Sequence, residues 1–246
     1  MTNEGALGPP PFFMEKPVST TLTELRDRAR QRADMVNSAF VTDSELTAYI
    51  NQGFFELYDL VVASFEDYFT TSTTFTISSG NTTNLPAGFY KLRGVDFQAD
   101  ATTGVYVPLR MYNFLNRNTR NTAPYYMTGG AAREYRIMGD QLLFIPADGA
   151  TGNYRLWYVP TASELANGTD TIPTSLSKFG WDEYIVLYAA ERMLAKEESD
   201  TSDIIRQRGE IAARIEKMAA NRDIEQVEHV TDTQNGFPWT DYFWRG

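Results

Sequence analysis

The residue types that carry much of enzyme chemistry are scarce in this sequence. Its 246 residues include no cysteine and one histidine, His229. Without cysteine there is no thiolate nucleophile, no disulfide and no cysteine-based metal site. A Ser-His-Asp relay would have to use His229, which lies in a polar run near the C-terminal end, where a rigid three-residue site is hard to build. We therefore expect no catalytic histidine.

Carboxylates remain as candidates for catalysis or for binding a cation. Four of them lie in or beside predicted strands: Asp96, Asp100, Glu134 and Asp140. A pair of such groups could hydrolyse a glycoside, but chance pairs are expected in a chain with 32 acidic residues. A second group lies between two predicted helices: Glu197, Glu198, Asp200 and Asp203. Its spacing matches no calcium loop, so we expect a solvated junction in which Asp or Ser caps the next helix.

The sequence lacks the glycine patterns that bind nucleotides, G-x-x-x-x-G-K and G-x-G-x-x-G, and the G-x-S-x-G pattern of a serine nucleophile. With neither these patterns nor a metal-ligating set, we expect no cofactor and no metal. An enzymatic function is therefore disfavoured.

Aromatic residues leave one binding function open. Six of them in the central part of the chain could form a flat platform for sugar rings: Tyr125, Tyr126, Tyr135, Tyr154, Trp157 and Tyr158. One face of a small sheet must be buried, however, and aromatic side chains fill such cores well. A carbohydrate-binding fibre or receptor-binding module is thus the alternative function.

The charge and hydropathy of the chain limit its partners. Its net charge of −10 argues against a protein that holds nucleic acid on a basic face. The same charge suits a surface past which DNA slides without sticking. The longest apolar stretch, residues 185–190, is too short to span a bilayer, so we expect no membrane contact. We identify no signal peptide, and the lack of cysteine fits synthesis in a reducing cytoplasm.

Two capping boxes predict where the first two helices begin. Thr21 is followed by Glu24, and Thr42 by Glu45, at the spacing in which each side chain bonds the other residue's backbone N–H. Apolar residues at helical spacing follow both, which predicts a helical hairpin over residues 21–66. Four arginines crowd the first helix: Arg26, Arg28, Arg30 and Arg32. They could pair within the chain or with a neighbouring subunit.

From residue 67 to 160 the period changes from helical to two, which predicts an antiparallel β module of five or six strands, a sandwich or a barrel-like form. Gly139 and Asp140 form a two-residue hairpin turn, and Pro108 places its strand at a sheet edge. Helices return over residues 161–225. The last of them, after a helix from about Lys178 to Glu198, carries a narrow seam: Ile204, Arg208, Ile211, Ile215 and Met218. The predicted fold class is α+β, in which this C-terminal helix pair and the hairpin form a helical body.

The two ends of the chain are predicted to be extended arms. Residues 1–20 contain three successive prolines, which favour an extended polyproline conformation, followed by Phe12 and Phe13. These two rings could pack on the chain's own core or contact a partner. Residues 226–246 hold five large aromatic residues: Phe237, Trp239, Tyr242, Phe243 and Trp244. Because chain termini are usually polar and interfaces use aromatic anchors, we expect this arm to bind a neighbouring subunit or another component.

The order of these parts resembles the head-to-tail adaptor, or connector, proteins of tailed bacteriophages. The likeness covers residues 20–222. It is strongest in two segments, residues 145–158 with the following Asp170-Thr171-Ile172-Pro173, and residues 181–190 with their companion helix.

The resemblance implies a non-enzymatic virion protein at the neck, where head and tail meet, made in the host cytoplasm. It implies a ring of twelve copies that docks beneath the portal protein, extends the channel for double-stranded DNA and offers a platform to a tail or nozzle protein. Carried onto this sequence, the arm that engages the portal runs from Phe237 to Trp244. Phe12 and Phe13 are secondary contacts.

Overall fold

A computed structural model describes residues 19–36, 39–118 and 133–221. A β module is inserted between the second and third helices of a helical body. The helices are α1 Leu22–Arg32, α2 Asp43–Ser64, α3 Thr174–Ser177, α4 Asp182–Lys196 and α5 Ser202–Ala220. The strands are β1 Thr71–Ile77, β2 Thr82–Asn84, β3 Phe89–Asp100, β4 Val105–Pro108, β5 Arg110–Met111, β6 Glu134–Met138, β7 Gln141–Ile145 and β8 Gly152–Pro160. The α+β fold class is confirmed.

Both predicted capping boxes are present. Thr21 Oγ1 accepts a hydrogen bond from the Glu24 N–H at 3.2 Å. The Glu24 carboxylate in turn accepts one from the Thr21 N–H at 2.8 Å. Thr42 and Glu45 repeat the arrangement at 3.3 and 3.1 Å. Each box satisfies backbone donors that a helix end leaves free, so α1 and α2 begin one residue after the capping threonine.

Helix α4 lies at the centre of the helical body. Residues 184–190 are seven consecutive buried residues, and a helix buried all round needs neighbours on every side. Helices α1, α2 and α5 all pack against it. The helix predicted from Lys178 to Glu198 is shorter at both ends, because α3 and a turn at Gly180, with φ of 69°, precede it and α4 ends at Lys196.

Helix α5 packs through the predicted seam except at its end. Ile204 and Ile215 are buried, but Met218 is 44% exposed and Ala219 takes the last core position. The cause is the 3.6-residue period of a straight helix, which moves the buried face away from a strict four-three repeat.

The β module is a pair of four-stranded sheets and not a closed barrel. One sheet has the order β1-β8-β3-β4 and the other β2-β7-β6-β5. The described residues of the module therefore include eight strands where five or six were predicted, and the β5–β6 pair is parallel. The Gly139-Asp140 turn joins β6 to β7, with Met138 opposite Gln141, and β4 with Pro108 is an edge strand. Both predictions are confirmed.

The two sheets enclose one core. Phe144 from the second sheet and Tyr154 from the first are fully buried, and their ring centroids lie 4.5 Å apart. Val95 and Leu156 add aliphatic side chains from the first sheet to this cluster. Of the helices in the described ranges, none is both long and apolar enough to cross a membrane.

The predicted arms, residues 1–20 and 226–246, fall almost entirely outside the described residues. Thr20, at the end of the first arm, is buried, and its hydroxyl donates to Asp182 Oδ2 at 2.9 Å. The boundaries at 21–66, 67–160 and 161–225 remain predictions, although the change from helix to strand lies between Ser64 and Thr71.

The contact of α2 with α4 depends on Gly53. A Cβ atom added there would lie 2.9 Å from Tyr188 Cβ, which is attached to the backbone and cannot swing away. We expect Gly53→Ala to lower the free energy of unfolding by about 1–2 kcal/mol, because overpacking outweighs the gain in helix propensity.

The matched control for this prediction is Gly209→Ala in α5. A Cβ at Gly209 would meet no atom within 4 Å, so this change should raise the free energy of unfolding by about 0.5–1 kcal/mol. Urea denaturation followed by circular dichroism measures both values. Equal effects of the two substitutions would contradict the close helix contact.

Candidate functional site

The aromatic residues predicted to contact partners lie outside the described residues. They are Phe12, Phe13, Phe237, Trp239, Tyr242, Phe243 and Trp244. His229 lies outside the described residues too. Both predicted arms adjoin the described part of the chain. The surfaces and side-chain clusters of that part show what the protein offers to partners.

Two of the four strand-associated carboxylates, Asp96 and Asp100, lie too far apart to form a catalytic pair. Asp96 accepts a hydrogen bond from the Trp157 indole N–H at 2.7 Å, and Asp100 accepts from Thr102 and Thr103 within the β3–β4 turn. These two acids are four residues apart on β3, about 13 Å at 3.3 Å per residue, beyond the roughly 6.5–9.5 Å of an inverting glycosidase. Glu134 lies in the other sheet and Asp140 in a hairpin turn.

The acidic side chains between α4 and α5 accept hydrogen bonds from the first turns of α5. Asp200 accepts the Ser202 N–H at 2.9 Å, and Asp203 accepts from Arg206 at 2.6 Å. The prediction that Asp or Ser caps the next helix is wrong at the N-cap itself, which is Thr201 and makes no side-chain cap bond; Asp200 lies one residue earlier. Within the described ranges there is no cluster of acidic and histidine side chains suited to a metal ion.

The shifted carboxyl pKa values also point away from acid catalysis. In the described part of the chain, six carboxyl groups have a pKa that departs clearly from the ordinary value, and each is lowered. In each, the largest lowering cause is an accepted hydrogen bond. They are Glu45, Glu66, Asp100, Asp170, Asp200 and Asp203. A general acid that works near neutral pH needs a raised pKa. These carboxylates therefore serve as fixed acceptors.

The four described members of the predicted aromatic platform do not form a flat surface for sugar rings. Tyr135 and Tyr154 are 6% and 0% exposed because they fill the core between the sheets. Tyr158 stacks on Phe89 with ring centroids 5.9 Å apart. Trp157 is half-buried and its N–H is taken by Asp96. Tyr125 and Tyr126 lie outside the described residues. The described part of the chain thus offers no observation in favour of carbohydrate binding.

The arginines of α1 pair within the chain. Arg28 donates to Asp182 at 2.5 Å and to Glu183 at 2.8 Å, and Arg32 also pairs with Glu183. Both acids lie in the first turn of α4, where the helix dipole favours negative charge. The other two arginines of α1 bond to Asp43 (Arg30) and to Thr47 (Arg26). This set of contacts ties α1 to α2 and to the N-terminus of α4.

A junction of aromatic and charged residues connects the helical body to the β module. The Tyr58 ring of α2 stacks on Phe69 with centroids 4.4 Å apart, and its hydroxyl donates to the Pro160 carbonyl at 2.6 Å. Val62 of α2 and Val159 of β8 are buried beside it. Burial, with smaller contributions from Tyr90 and Asp59, raises the pKa of Tyr58 from 10.0 to about 12.

Ion pairs at the C-terminal end of α2 continue this junction. Glu66 accepts from Lys91 of β3 at 2.5 Å and also pairs with Arg93, which donates to Asp67 at 2.8 Å. The hydrogen bond from Lys91, with the nearby Arg93 charge, lowers the pKa of Glu66. Partly exposed pairs of this kind contribute little stability, typically about 0–1 kcal/mol each. Their effect is to fix the direction in which the β module leaves the body.

An exposed apolar edge of the β module was not predicted from the sequence. Val105 and Val107 of the edge strand β4 are 51% and 46% exposed. Met111 of β5 is 54% exposed and Leu115 after it 81%. Contiguous exposed apolar side chains mark contact surfaces in many proteins. The signal in the sequence was Pro108 at the end of a valine-containing strand. It identified an edge strand but could not show that the valine side chains are exposed.

A comparison with protein-family models decides the family of this chain. The model described as SU10 adaptor protein matches residues 20–237. The chain belongs to this family. SU10 adaptors are phage head-to-tail adaptors, so the resemblance seen in the order of the parts is confirmed. A search among curated proteins found no match.

Membership makes this SU10 adaptor a phage structural protein and implies a place in the virion neck. The family is a structural phage adaptor family, and such families are typically non-enzymatic. The match contains both the helical body and the β module, so the described fold is the unit that the family shares. It begins at Thr20 and ends at Phe237, which leaves Phe12, Phe13 and four of the five C-terminal aromatic residues outside it.

The Tyr58 junction predicts how the adaptor responds to alkali. A raised tyrosine pKa stabilises the folded state fully below pH 10, and this contribution is lost as pH rises through 12. We expect Tyr58→Phe to cost about 1 kcal/mol at neutral pH, because the Pro160 carbonyl loses its donor, and to make stability fall less steeply between pH 10 and pH 12.

Urea denaturation over this pH range measures both effects. Tyr49→Phe is the control because Tyr49 lies on the same helix and is only half-buried. A Tyr58→Phe protein that loses stability with pH as steeply as the unmodified adaptor would show that Tyr58 ionises as freely when folded as when unfolded.

Proposed function

We propose that this adaptor forms a ring of twelve copies beneath the portal, extends the DNA channel through its centre and presents a platform to a tail or nozzle protein. The family match over residues 20–237 carries the proposal, since it includes both parts of the described fold. A head-to-tail interface between identical copies closes into a ring when the rotation per copy suits. The fold works in this role by its geometry, without a catalytic step.

The exposed apolar edge is our candidate for a contact made by the β module. Val105, Val107, Met111 and Leu115 form it, and they lie at the edge of the module and not in its core. In a ring, this edge would face the next copy or the tail protein. The junction at Tyr58 and Glu66 supports the assignment because it holds the module in one direction relative to the helices.

The electrostatics suit passage of double-stranded DNA without specific binding. The net charge is −10, and the arginines of α1, the densest group of cations predicted from the sequence, are engaged with acids or hydroxyls of the same chain. Phosphates are repelled by an acidic wall and attracted by unpaired basic residues. A channel built from such subunits would let DNA slide.

We assign the contact with the portal to the C-terminal aromatic residues, with Phe237, Trp239, Tyr242, Phe243 and Trp244 as anchors. Large aromatic residues dominate the energy of protein interfaces. One modest contact repeated around a ring gains strength through multivalency. The adaptor could therefore remain unassembled in the host cytoplasm and bind stably once a portal is present.

Electron microscopy of the purified adaptor, alone and mixed with purified portal rings, tests the proposal. We expect portal rings with an added symmetric collar, whose symmetry gives the number of copies directly. Bare portals beside free adaptor, at adaptor concentrations well above those in an assembling cell, would refute portal docking.

Removal of residues 235–246 tests the assignment of the C-terminal anchors. We expect the free energy of unfolding to stay within about 0.5 kcal/mol, and the affinity for the portal to fall by at least about 100-fold, since single aromatic anchors contribute 2 kcal/mol or more. The triple substitution Trp239→Ala, Phe243→Ala and Trp244→Ala should reproduce most of the loss.

Phe40→Ala is the matched control, because Phe40 is 50% exposed in the helical body and belongs to neither arm. Its portal affinity should equal that of the unmodified chain. A deletion that collapses the melting temperature instead would show that the segment belongs to the core of the fold and is not an assembly arm.

A further inference from the structure

A groove of about 770 Å³ lies between α2 and the chain that leads from β8 to α3. Its floor is aromatic and aliphatic, with Phe54, Tyr58 and Leu165 buried and Phe69 half-buried. Its rim is polar and includes the acids Glu164 and Asp170. Sites that bind small molecules or peptide segments have this volume and this combination of apolar floor and polar rim.

The N-terminal segment enters the described fold along one wall of this groove. Thr20 accepts a hydrogen bond from the Ile172 N–H at 3.3 Å, and Thr21 forms a β bridge with Thr171. The pairing is antiparallel, so the residues before Thr20 leave toward Pro173 and Thr174, which line the groove. The arm therefore starts beside the groove.

The arm is long enough to bring its aromatic residues into the groove. Seven Cα-to-Cα steps separate Phe13 from Thr20, which span up to about 25 Å when extended. A short tether of this kind gives an effective concentration in the millimolar range. A weak contact is therefore sufficient to keep the groove occupied.

The chemistry of residues 9–13 matches the groove. Grooves lined by aromatic side chains recognise proline-rich segments, because the extended polyproline form is already ordered and loses little entropy. Pro9, Pro10 and Pro11 provide such a segment. Phe12 and Phe13 would contact the half-buried ring of Phe69, and aromatic rings pack well against one another.

We propose that residues 9–13, the Pro-Pro-Pro-Phe-Phe segment, dock into the groove of their own chain, against the half-buried side chains of Phe69, Pro160 and Pro173. The segment precedes the family match, which begins at residue 20, so the proposal concerns a feature of this chain beyond the shared adaptor unit. It does not depend on ring formation or on the portal contact. Docking would cover Phe69 and strengthen the junction between the helical body and the β module.

The absence of cysteine from the sequence makes a disulfide trap a clean test. Met14→Cys is placed next to the docked segment and Ser163→Cys on the exposed rim. A disulfide requires Cβ atoms within about 4.5 Å. At low concentration of the full-length protein and without portal, we expect a cross-link within one chain at least about tenfold faster than in a control pair, Met14→Cys with Ala101→Cys. Ala101 lies exposed in the β3–β4 turn, away from the groove.

Two further variants separate docking from random collision. Phe12→Ser with Phe13→Ser, added to the Met14→Cys and Ser163→Cys pair, should reduce the cross-linking rate to that of the control. If Ser163→Cys disturbs folding, Thr169→Cys on the rim replaces it. Equal rates for the groove pair and the control pair would overturn the proposal. Cross-linked dimers in place of cross-linked monomers would also overturn it, because the groove would then hold the arm of another copy.

Discussion

The complete burial of two successive turns of α4 is the constraint on which the rest of the fold depends. Its seven consecutive buried residues, 184–190, bring no polar face to solvent, so the helix is stable only when neighbours surround it. Helices α1 and α2 come from one end of the sequence and α5 from the other. The chain must therefore leave the helical body after α2, build the β module and return. Where the returning chain meets α1, Asp182 accepts a hydrogen bond from Thr20 and pairs with Arg28.

The β module depends on this body for its direction but not for its core. The core between its sheets is filled by its own side chains, Phe144 and Tyr154 among them. Its attachment to α2 is a separate, smaller cluster around Tyr58 and Val159, extended by ion pairs of Glu66. The helical body and the β module each have their own core, and the junction at Tyr58 joins them in one orientation. The surfaces of the two parts are therefore fixed relative to each other. Surfaces held in this way suit a structural adaptor.

Charged side chains in this adaptor hold elements of its own chain together. The shifted carboxyl groups of the described ranges are acceptors of hydrogen bonds, with lowered pKa values, and the α1 arginines bind acids or hydroxyls of the same chain. The chain as a whole remains strongly acidic. These features agree with membership of a structural phage adaptor family.

The sequence by itself determined the helix starts at Thr21 and Thr42, the Gly139-Asp140 hairpin and the family, because capping boxes, two-residue turns and the order of parts are local or linear signals. Only the tertiary structure decided which aromatic residues are buried: Tyr154 fills a core and not a platform. It also decided that Arg28 and Arg32 of α1 pair with α4, some 150 residues away, and that an apolar edge and an aromatic groove are left at the surface. A pattern of period two identifies the two faces of a strand, but which face is covered depends on the sheet or helix that packs against it.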